Sequence, residues 1–390
     1  MTDPPTISIQ GLSIDYVVGA GRFRAVSDVS LDVPRGHVVG IVGETGCGKS
    51  TLAQAIPRLL PEPPATIGGG RILFEGIDLV KIPMWKMPLV RGTGISMIFQ
   101  EPLNSLNPAF RIYDQVAEAV HIRRLRDQGK AGAARMDKDA TGPFDYSKRP
   151  APTLTDAYGG RLLPGGAAAE KIHRTHVEHQ AGGDVRELKD EVLDYLKLVR
   201  INDPETILNL YPHELSGGMR QRVMIAMALC EKPKLLIADE PTSALDVTIQ
   251  AQVLTLMKEL IQEVNTTILF ISHDLGVIAE TADELGVMYA GKLVEFGPVG
   301  ELFDHPKHPY TKALLRAAPT RYKSEGPLRS ISGNVPNLSR PPPGCRFHPR
   351  CPIAQDNCKV APGPPLAAVA GASANHTSAC FYPNEVEGIP

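Results

Sequence analysis

The sequence predicts an α/β fold with a parallel sheet at its core, on three observations. The short apolar runs His37-Val38-Val39-Gly40-Ile41-Val42, Leu235-Leu236-Ile237-Ala238 and Thr267-Ile268-Leu269-Phe270-Ile271 have the length and composition of strands buried on both faces. Each run ends in polar residues: a glycine-rich turn, Asp239-Glu240 and Ser272-His273. The carboxyl ends of such a sheet gather the chemistry. Finally, the first run passes through its turn into the helix-like stretch Ser50 to Leu60, a strand, phosphate loop and helix unit.

Taken in order, residues 7 to 33 alternate apolar and polar positions (Ile7, Ile9, Leu12, Ile14, Tyr16, then Val26, Val29, Leu31, Val33) around Gly19-Ala20-Gly21, which predicts antiparallel strands joined by a turn. From about Ile122 to Asp190 the chain becomes rich in Gly, Ala, Arg and Lys and loses periodicity, so this stretch is expected to be a mobile insertion. Pro341-Pro342-Pro343-Gly344 breaks structure before a small terminal module. A chain of 390 residues exceeds one ordinary domain, and the expected division is a large domain over 6–300 and a smaller one over 301–390.

Composition excludes some functions. A formal net charge of −2 leaves no global basic excess to hold nucleic acid or an acidic membrane. Met1-Thr2-Asp3-Pro4-Pro5 does not open a secretory signal, and no apolar run reaches the roughly 18 to 20 residues of a spanning helix. A soluble, cytoplasmic protein that meets a membrane only through a partner is expected. Four of six cysteines (Cys345, Cys351, Cys358, Cys380) crowd into the end of the chain, a pattern that in a reducing compartment points to metal rather than disulfides.

The chemistry starts at Gly43-Glu44-Thr45-Gly46-Cys47-Gly48-Lys49-Ser50-Thr51. Its glycines let backbone N–H groups wrap phosphates and the helix start adds positive potential; Lys49 would pair with β- and γ-phosphate oxygens and Ser50 would ligate Mg²⁺. At the end of the second strand Asp239 would hold Mg²⁺ through water, and Glu240 would polarise the attacking water. Leu215-Ser216-Gly217-Gly218-Met219 precedes a helical run and forms a second N-terminal anion site without a lysine. Two different phosphate-binding surfaces on one chain make sense if two copies face each other head to tail.

With these motifs in hand, residues 6 to about 300 resemble an ABC transporter nucleotide-binding domain. Tyr16 matches the aromatic that stacks on adenine, Gly43 to Ser50 the Walker A loop and Gln100 the Q-loop glutamine. Leu215 to Met219 matches the signature, Leu235 to Glu240 Walker B, Ser243-Ala244-Leu245-Asp246 the D-loop and His273 the switch histidine. The resemblance implies a P-loop NTPase cassette: a RecA-like parallel sheet core, an antiparallel β subdomain and an α-helical signature subdomain, followed here by a small Cys-rich C-terminal module. It also implies ATP and Mg²⁺ as cofactors, with Gln100 on the metal, His273 and Glu240 at the γ-phosphate, and Glu101 to Asn107 beside the coupling helix of a membrane subunit. Water is the nucleophile, so Glu240→Gln and His273→Ala are expected to bind ATP and hydrolyse it very slowly.

Tyr211-Pro212-His213-Glu214, Met219-Arg220-Gln221-Arg222-Val223-Met224-Ile225-Ala226 and His308-Pro309-Tyr310-Thr311 closely resemble the oligopeptide and dipeptide importer ATPases. That resemblance implies a peripheral subunit on the cytoplasmic face of the inner membrane. Its partners would be two integral membrane permease subunits, a second related ATPase in a heterodimer and an extracytoplasmic solute-binding protein, with no nucleic acid. The same subfamily extends to nickel and oligosaccharide systems.

Four thiolates in one small module suit tetrahedral zinc or an iron–sulfur cluster, and cysteines that bind no metal are the third alternative, ranked ahead of zinc. Zinc favours C-x2-C pairs, whereas the wider spacing Cys345-x5-Cys351-x6-Cys358 with distant Cys380, the Pro352 after Cys351 and the family resemblance favour 4Fe-4S. His348 and His376 are nearby spare ligands. Cys47 stands where the family commonly has serine, and a thiol beside Lys49 at a helix start is expected to be acidified and reactive. A soluble ABC ATPase acting on DNA or ribosomes ranks far lower, since neither paired cassettes nor long coiled coils are evident. A redox or iron sensor working through the cysteines is the third reading.

Overall fold

A computed structural model describes residues 4–19, 21–92, 94–100, 105–127, 185–242, 247–264, 266–317 and 331–389. In chain order its elements are β1 (Ile7–Val18), β2 (Gly21–Val33), β3 (Val38–Val42), α1 (Lys49–Ala55), β4 (Ala65–Phe74), β5 (Ile77–Asp78), β6 (Ile95–Ile98), α2 (Ile112–Asp127), α3 (Val185–Leu198), α4 (Pro204–Ile207) and α5 (Gly217–Cys230). They continue with β7 (Leu235–Asp239), α6 (Val247–Val264), β8 (Thr267–Ile271), α7 (Leu275–Thr281), β9 (Glu284–Tyr289), β10 (Lys292–Pro298), α8 (Val299–Asp304), α9 (Pro309–Ala317), β11 (Ala367–Ala368) and β12 (Thr377–Ser378). Two compact units emerge: residues 1–82, 234–240 and 260–390 form one, and 83–233 with 241–259 the other.

In the first unit, β1 and β2 form the expected hairpin and join β4 and β5 in an antiparallel sheet of order β2-β1-β4-β5. Alternation puts Ile7, Ile9, Leu12, Ile14, Val26, Val29 and Val33 inside, each at most 1% exposed. The predicted core strands lie side by side in the order β9-β3-β8-β7, all parallel. Every residue of β3, β7 and β8 is buried, which is why these segments read as continuous apolar runs rather than alternating ones.

The sheet is mixed rather than purely parallel, because β10 adds antiparallel to β9, and β12 and β11 follow it antiparallel. The C-terminal segment therefore does not stand apart after its proline run. It belongs to the same compact unit as the glycine-rich loop after β3, through backbone pairing of Glu295 and Phe296 with Ser378 and Thr377.

The second unit is mainly helical. Leu188, Val192, Leu193 and Leu196 of α3 are buried, as are Val116, Ala117 and Val120 of α2. Buried Arg123 on α2 is paired with Glu191 on α3 and donates to Tyr195 Oη at 3.0 Å. The expected insertion over 122–190 is thus corrected at both edges, where 122–127 and 185–190 are helical. Its remainder, 128–184, lies outside the described residues.

Candidate functional site

The loop between β3 and α1 is shaped by Gly43 and Gly48, where a side chain has no room. Gly43 has φ 151°, and a Cβ there would lie 2.2 Å from the Met288 carbonyl oxygen. Gly48 has φ 105°, and its Cβ would lie 2.6 Å from the Ala25 carbonyl oxygen. The loop is packed from behind by β9 and β2, while Thr45 and Gly46 are exposed. Lys49, only 5% exposed, donates from Nζ to the carbonyls of Gly43 at 2.8 Å and Glu44 at 3.3 Å. Thr51 follows on α1, half-buried.

Ser50 Oγ donates to Asp239 Oδ1 at 3.0 Å, so the first turn of α1 meets the end of β7. Asp239 is 2% exposed, and burial raises its carboxyl to about 6 against the opposing bond from Ser50 and with help from the Glu240 charge. Glu240 follows in a left-handed conformation, φ 46°, that costs a non-glycine residue roughly 1–2 kcal/mol. Its N–H donates to the Ile271 carbonyl at 2.9 Å, which anchors it across to β8. His273 comes from the end of β8, with its Nδ1 3.3 Å from Glu240 Oε2. Asp274 caps α7 by accepting from the N–H groups of Gly276 and Val277. The first unit thus gathers Lys49, Ser50, Asp239, Glu240 and His273 at the carboxyl ends of three adjacent strands.

Tyr16 on β1 is stacked on Phe23 of β2, with ring centroids 5.4 Å apart and planes 11° apart. Phe23 went unread in the sequence, although the hairpin register that pairs it with Tyr16 follows from the alternating pattern. Cys47 contradicts the acidified-thiol expectation. It is fully buried, and loss of solvation pushes its thiol up more than Lys49 pulls it down.

In the second unit, Gln100 is exposed just after β6. Ser216 caps α5, its Oγ accepting from the Met219 N–H at 3.3 Å, with Gly217 and Gly218 forming the first turn. Glu214 accepts from the Tyr211 N–H at 2.7 Å and fixes the turn entering this helix. Asp246 and the rest of 243–246 lie outside the described residues, as do 101–104.

At the C-terminal end, Cys345, Cys351, Cys358 and Cys380 line one cavity together with His348 and Phe347. None of them is in a disulfide. Burial raises Cys351 to about 11 and Cys380 to about 12, so as thiols they stay protonated at neutral pH. Among the described residues no group of three or more His, Cys, Asp or Glu is placed to share one metal ion. His376 is engaged elsewhere: its Nε2 lies 2.8 Å from Glu295 Oε1 in a fully buried pair.

Comparison with known proteins fixes what this assembly belongs to. The family model for the ABC transporter matches residues 26–243, more than half of the chain. The chain belongs to the ABC transporter family. It is therefore an ATPase. A second model, the oligopeptide/dipeptide transporter C-terminal region, matches residues 294–358. The probable peptide ABC transporter ATP-binding protein y4tR of Sinorhizobium fredii is 41% identical over 367 residues, covering 94% of this chain and 91% of the relative. The dipeptide transport ATP-binding protein DppD of Bacillus subtilis is 39% identical over 380 residues, covering 97% of this chain and 95% of the relative. Among solved structures, the dimeric post-hydrolysis cassette MJ0796 bound to ADP and Pi superposes with a TM-score of 0.53 over 75% of this chain and 98% of that one, at 22% identity, a likeness of fold. No described helix is long and apolar enough to cross a membrane.

Proposed function

We propose that this ABC ATPase energises the uptake of peptides as a peripheral subunit on the cytoplasmic face of the inner membrane. The observation that carries the reading is near-full-length similarity to peptide and dipeptide transport ATP-binding proteins, joined to a C-terminal match with the oligopeptide/dipeptide family. It works on two integral membrane permease subunits that receive peptide from an extracytoplasmic binding protein, and a second, related ATPase completes the pair. In this reading the nucleotide-binding domain spans 6–300 and the C-terminal domain 301–390.

Each role follows from chemistry. Glycine-loop N–H groups from Gly43 to Gly48 wrap the phosphates, and Lys49 moves from the loop carbonyls to the β- and γ-phosphates. The Ser50 hydroxyl and Asp239 carboxylate supply hard oxygen donors of the kind Mg²⁺ prefers, 3.0 Å apart and already oriented on each other. An Mg²⁺ held by Ser50 and Asp239 would supply positive charge to the transferring phosphoryl group. Glu240 orients and polarises the attacking water, and His273, within 3.3 Å of it, holds the γ-phosphate and Glu240 in register. Tyr16 stacks on adenine, Gln100 senses the metal and γ-phosphate, and Ser216, Gly217, Gly218 and Asp246 complete the partner's site.

The four cysteines suit a 4Fe-4S cluster better than zinc. The preference rests on their wide sequence spacing and on the one cavity that all four line, from which they would supply the thiolates such a cluster takes. Iron and sulfide analysis with visible absorption of anaerobically purified protein checks this.

Purification of a tagged Glu240→Gln variant with ATP from gently solubilised membranes tests the main reading. Two multi-spanning permeases and a second cassette should co-purify. A preparation free of membrane subunits and rich in ribosomal or DNA-repair proteins overturns it.

A further inference from the structure

We propose that Arg350 is a positioning residue of the nucleotide loop, one that ties ATP affinity to the folding of the cysteine-lined segment. The proposal rests on the reading of residues 43–50 as the nucleotide loop.

The guanidinium grips Glu44, the second residue of that loop, in a two-pronged ion pair: Nη1 to Oε2 at 2.7 Å and Nη2 to Oε1 at 3.1 Å. Its other donors are also engaged, Nε to the Ser332 carbonyl at 2.9 Å, Nη2 to the Ile331 carbonyl at 3.2 Å and Nη1 to Tyr289 Oη at 3.3 Å. All five N–H groups of the fork are thereby accounted for, and the side chain is only 4% exposed. A solvated surface pair holds neither partner in this way. Lysine, with a single nitrogen, cannot reproduce the fork.

Glu44 is also held by its backbone, because its N–H donates to Tyr310 Oη at 2.9 Å. Tyr310 is fully buried, and its ring lies 5.4 Å from that of Phe347, which lines the cysteine cavity. The turn from Cys345 to Cys351 thus faces two ways. Its cysteines face the cavity, while Arg350 reaches Glu44 and Arg346 donates to the Ala290 carbonyl. Next to Ala290, the Gly291 N–H donates to the carbonyl of Cys47 at 2.9 Å, a second support for the same loop.

The consequence falls on binding. The carbonyls of Gly43 and Glu44 hold Lys49 in the nucleotide-free loop, and the N–H groups around them wrap phosphate, so a loop released at Glu44 binds less well. The groups that perform hydrolysis, Asp239, Glu240 and His273, make no bond to Arg350, so the loss appears in Kd and KM more than in kcat. Linkage makes the coupling reciprocal: nucleotide must protect the cysteine segment by the factor through which that segment tightens nucleotide.

The test uses the full chain with Mg·ATP and a non-hydrolysable ATP analogue. Arg350→Ala should raise the ATP Kd about tenfold, within the usual range of such couplings, with Arg350→Lys recovering only part of the loss. The double variant Arg350→Ala/Glu44→Gln should recover only part of the loss, since neutralising Glu44 removes its repulsion of the phosphates but does not restore the grip. Tyr310→Phe, which keeps the packed ring and loses one bond, should weaken binding by a smaller factor and covers the case in which Arg350→Ala fails to fold. Saturating analogue should slow amide hydrogen exchange across residues 345–351 in the wild type and not in Arg350→Ala. Wild-type affinity in both Arg350→Ala and Tyr310→Phe, full recovery of wild-type affinity in the double variant, or equal exchange protection with and without Arg350 would overturn the proposal. If instead Lys49→Ala binds ATP as tightly as the wild type, the reading of the loop itself fails, and Arg350 is not at issue.

Discussion

Replacing Asp239 by Asn should stabilise the nucleotide-free protein while it disables the ATPase. The carboxyl is buried at the end of β7 and raised from 3.8 to about 6, so keeping it ionised at pH 7.5 costs up to about 3 kcal/mol at 1.36 kcal/mol per pH unit. Asn is the same size, is neutral, and its amide oxygen still accepts from Ser50 Oγ. Allowing for relaxation, a gain of about 1–3 kcal/mol is expected, or ~2–6 °C in Tm for a domain of this size. The pH dependence gives the sign. Between 3.8 and about 6 the native carboxyl holds its proton more tightly than the unfolded one, so wild-type stability falls as pH rises through that window. The advantage of Asp239→Asn is therefore full above about pH 6 and shrinks toward pH 4. Thermal unfolding in EDTA at pH 7.5 and 4.5 reads this directly, and the same variant should lose the further stabilisation that Mg·ATP gives the wild type. A variant that is less stable than wild type at pH 7.5, or a gain of equal size at both pH values, would refute the electrostatic account.

Three further outcomes follow from the site and its surroundings. Glu240→Gln and His273→Ala should keep ATP binding and lose about 10²–10⁴-fold in kcat, measured by single-turnover hydrolysis. Cys47, fully buried with its thiol pushed up, should resist iodoacetamide at pH 7.5 in the native protein and label only after denaturation; rapid stoichiometric labelling of the folded chain would contradict the packing. His376→Ala leaves Glu295 buried without that partner and should cost about 3–5 kcal/mol in urea unfolding. Because the two glutamates beside His376 raise it above 6.5 despite its burial, its contribution is full below that pH and is lost as pH climbs through the folded value, so the deficit of His376→Ala should be smaller at pH 9 than at pH 6.

What could be read from the sequence was what depends on local pattern. β3, β7 and β8 were visible because burial on both faces makes a strand uniformly apolar, and the β1–β2 hairpin because burial on one face makes it alternate. The loop, Asp239, Glu240 and His273 were legible because their spacing follows from strand ends and helix starts. The helices at the edges of the 122–190 stretch were missed for a physical reason. In α2 the run His121-Ile122-Arg123-Arg124-Leu125-Arg126 reads as solvated, yet Arg123 is buried and paired with Glu191 and Tyr195, partners 68 and 72 residues away. Cys47 was misread because proximity to Lys49 was weighed without the burial that opposes it.

The Glu44–Arg350 pair spans 306 residues, and no local pattern reports such a contact. A signal was present all the same. In the proposed function a carboxylate inside a loop that wraps a polyanion repels that ligand, and the one lysine of the loop turns to the phosphates, so Glu44 requires a cation from outside. That cation had to be buried enough to stay in place and planar enough to take both carboxylate oxygens, a description that fits arginine and not lysine. Electrostatics therefore demands a neutralising partner at Glu44, and the fold supplies it from the turn that carries Cys345 and Cys351. On that proposal, disturbing the cysteine segment also disturbs the loop proposed to hold ATP, through the Glu44–Arg350 pair.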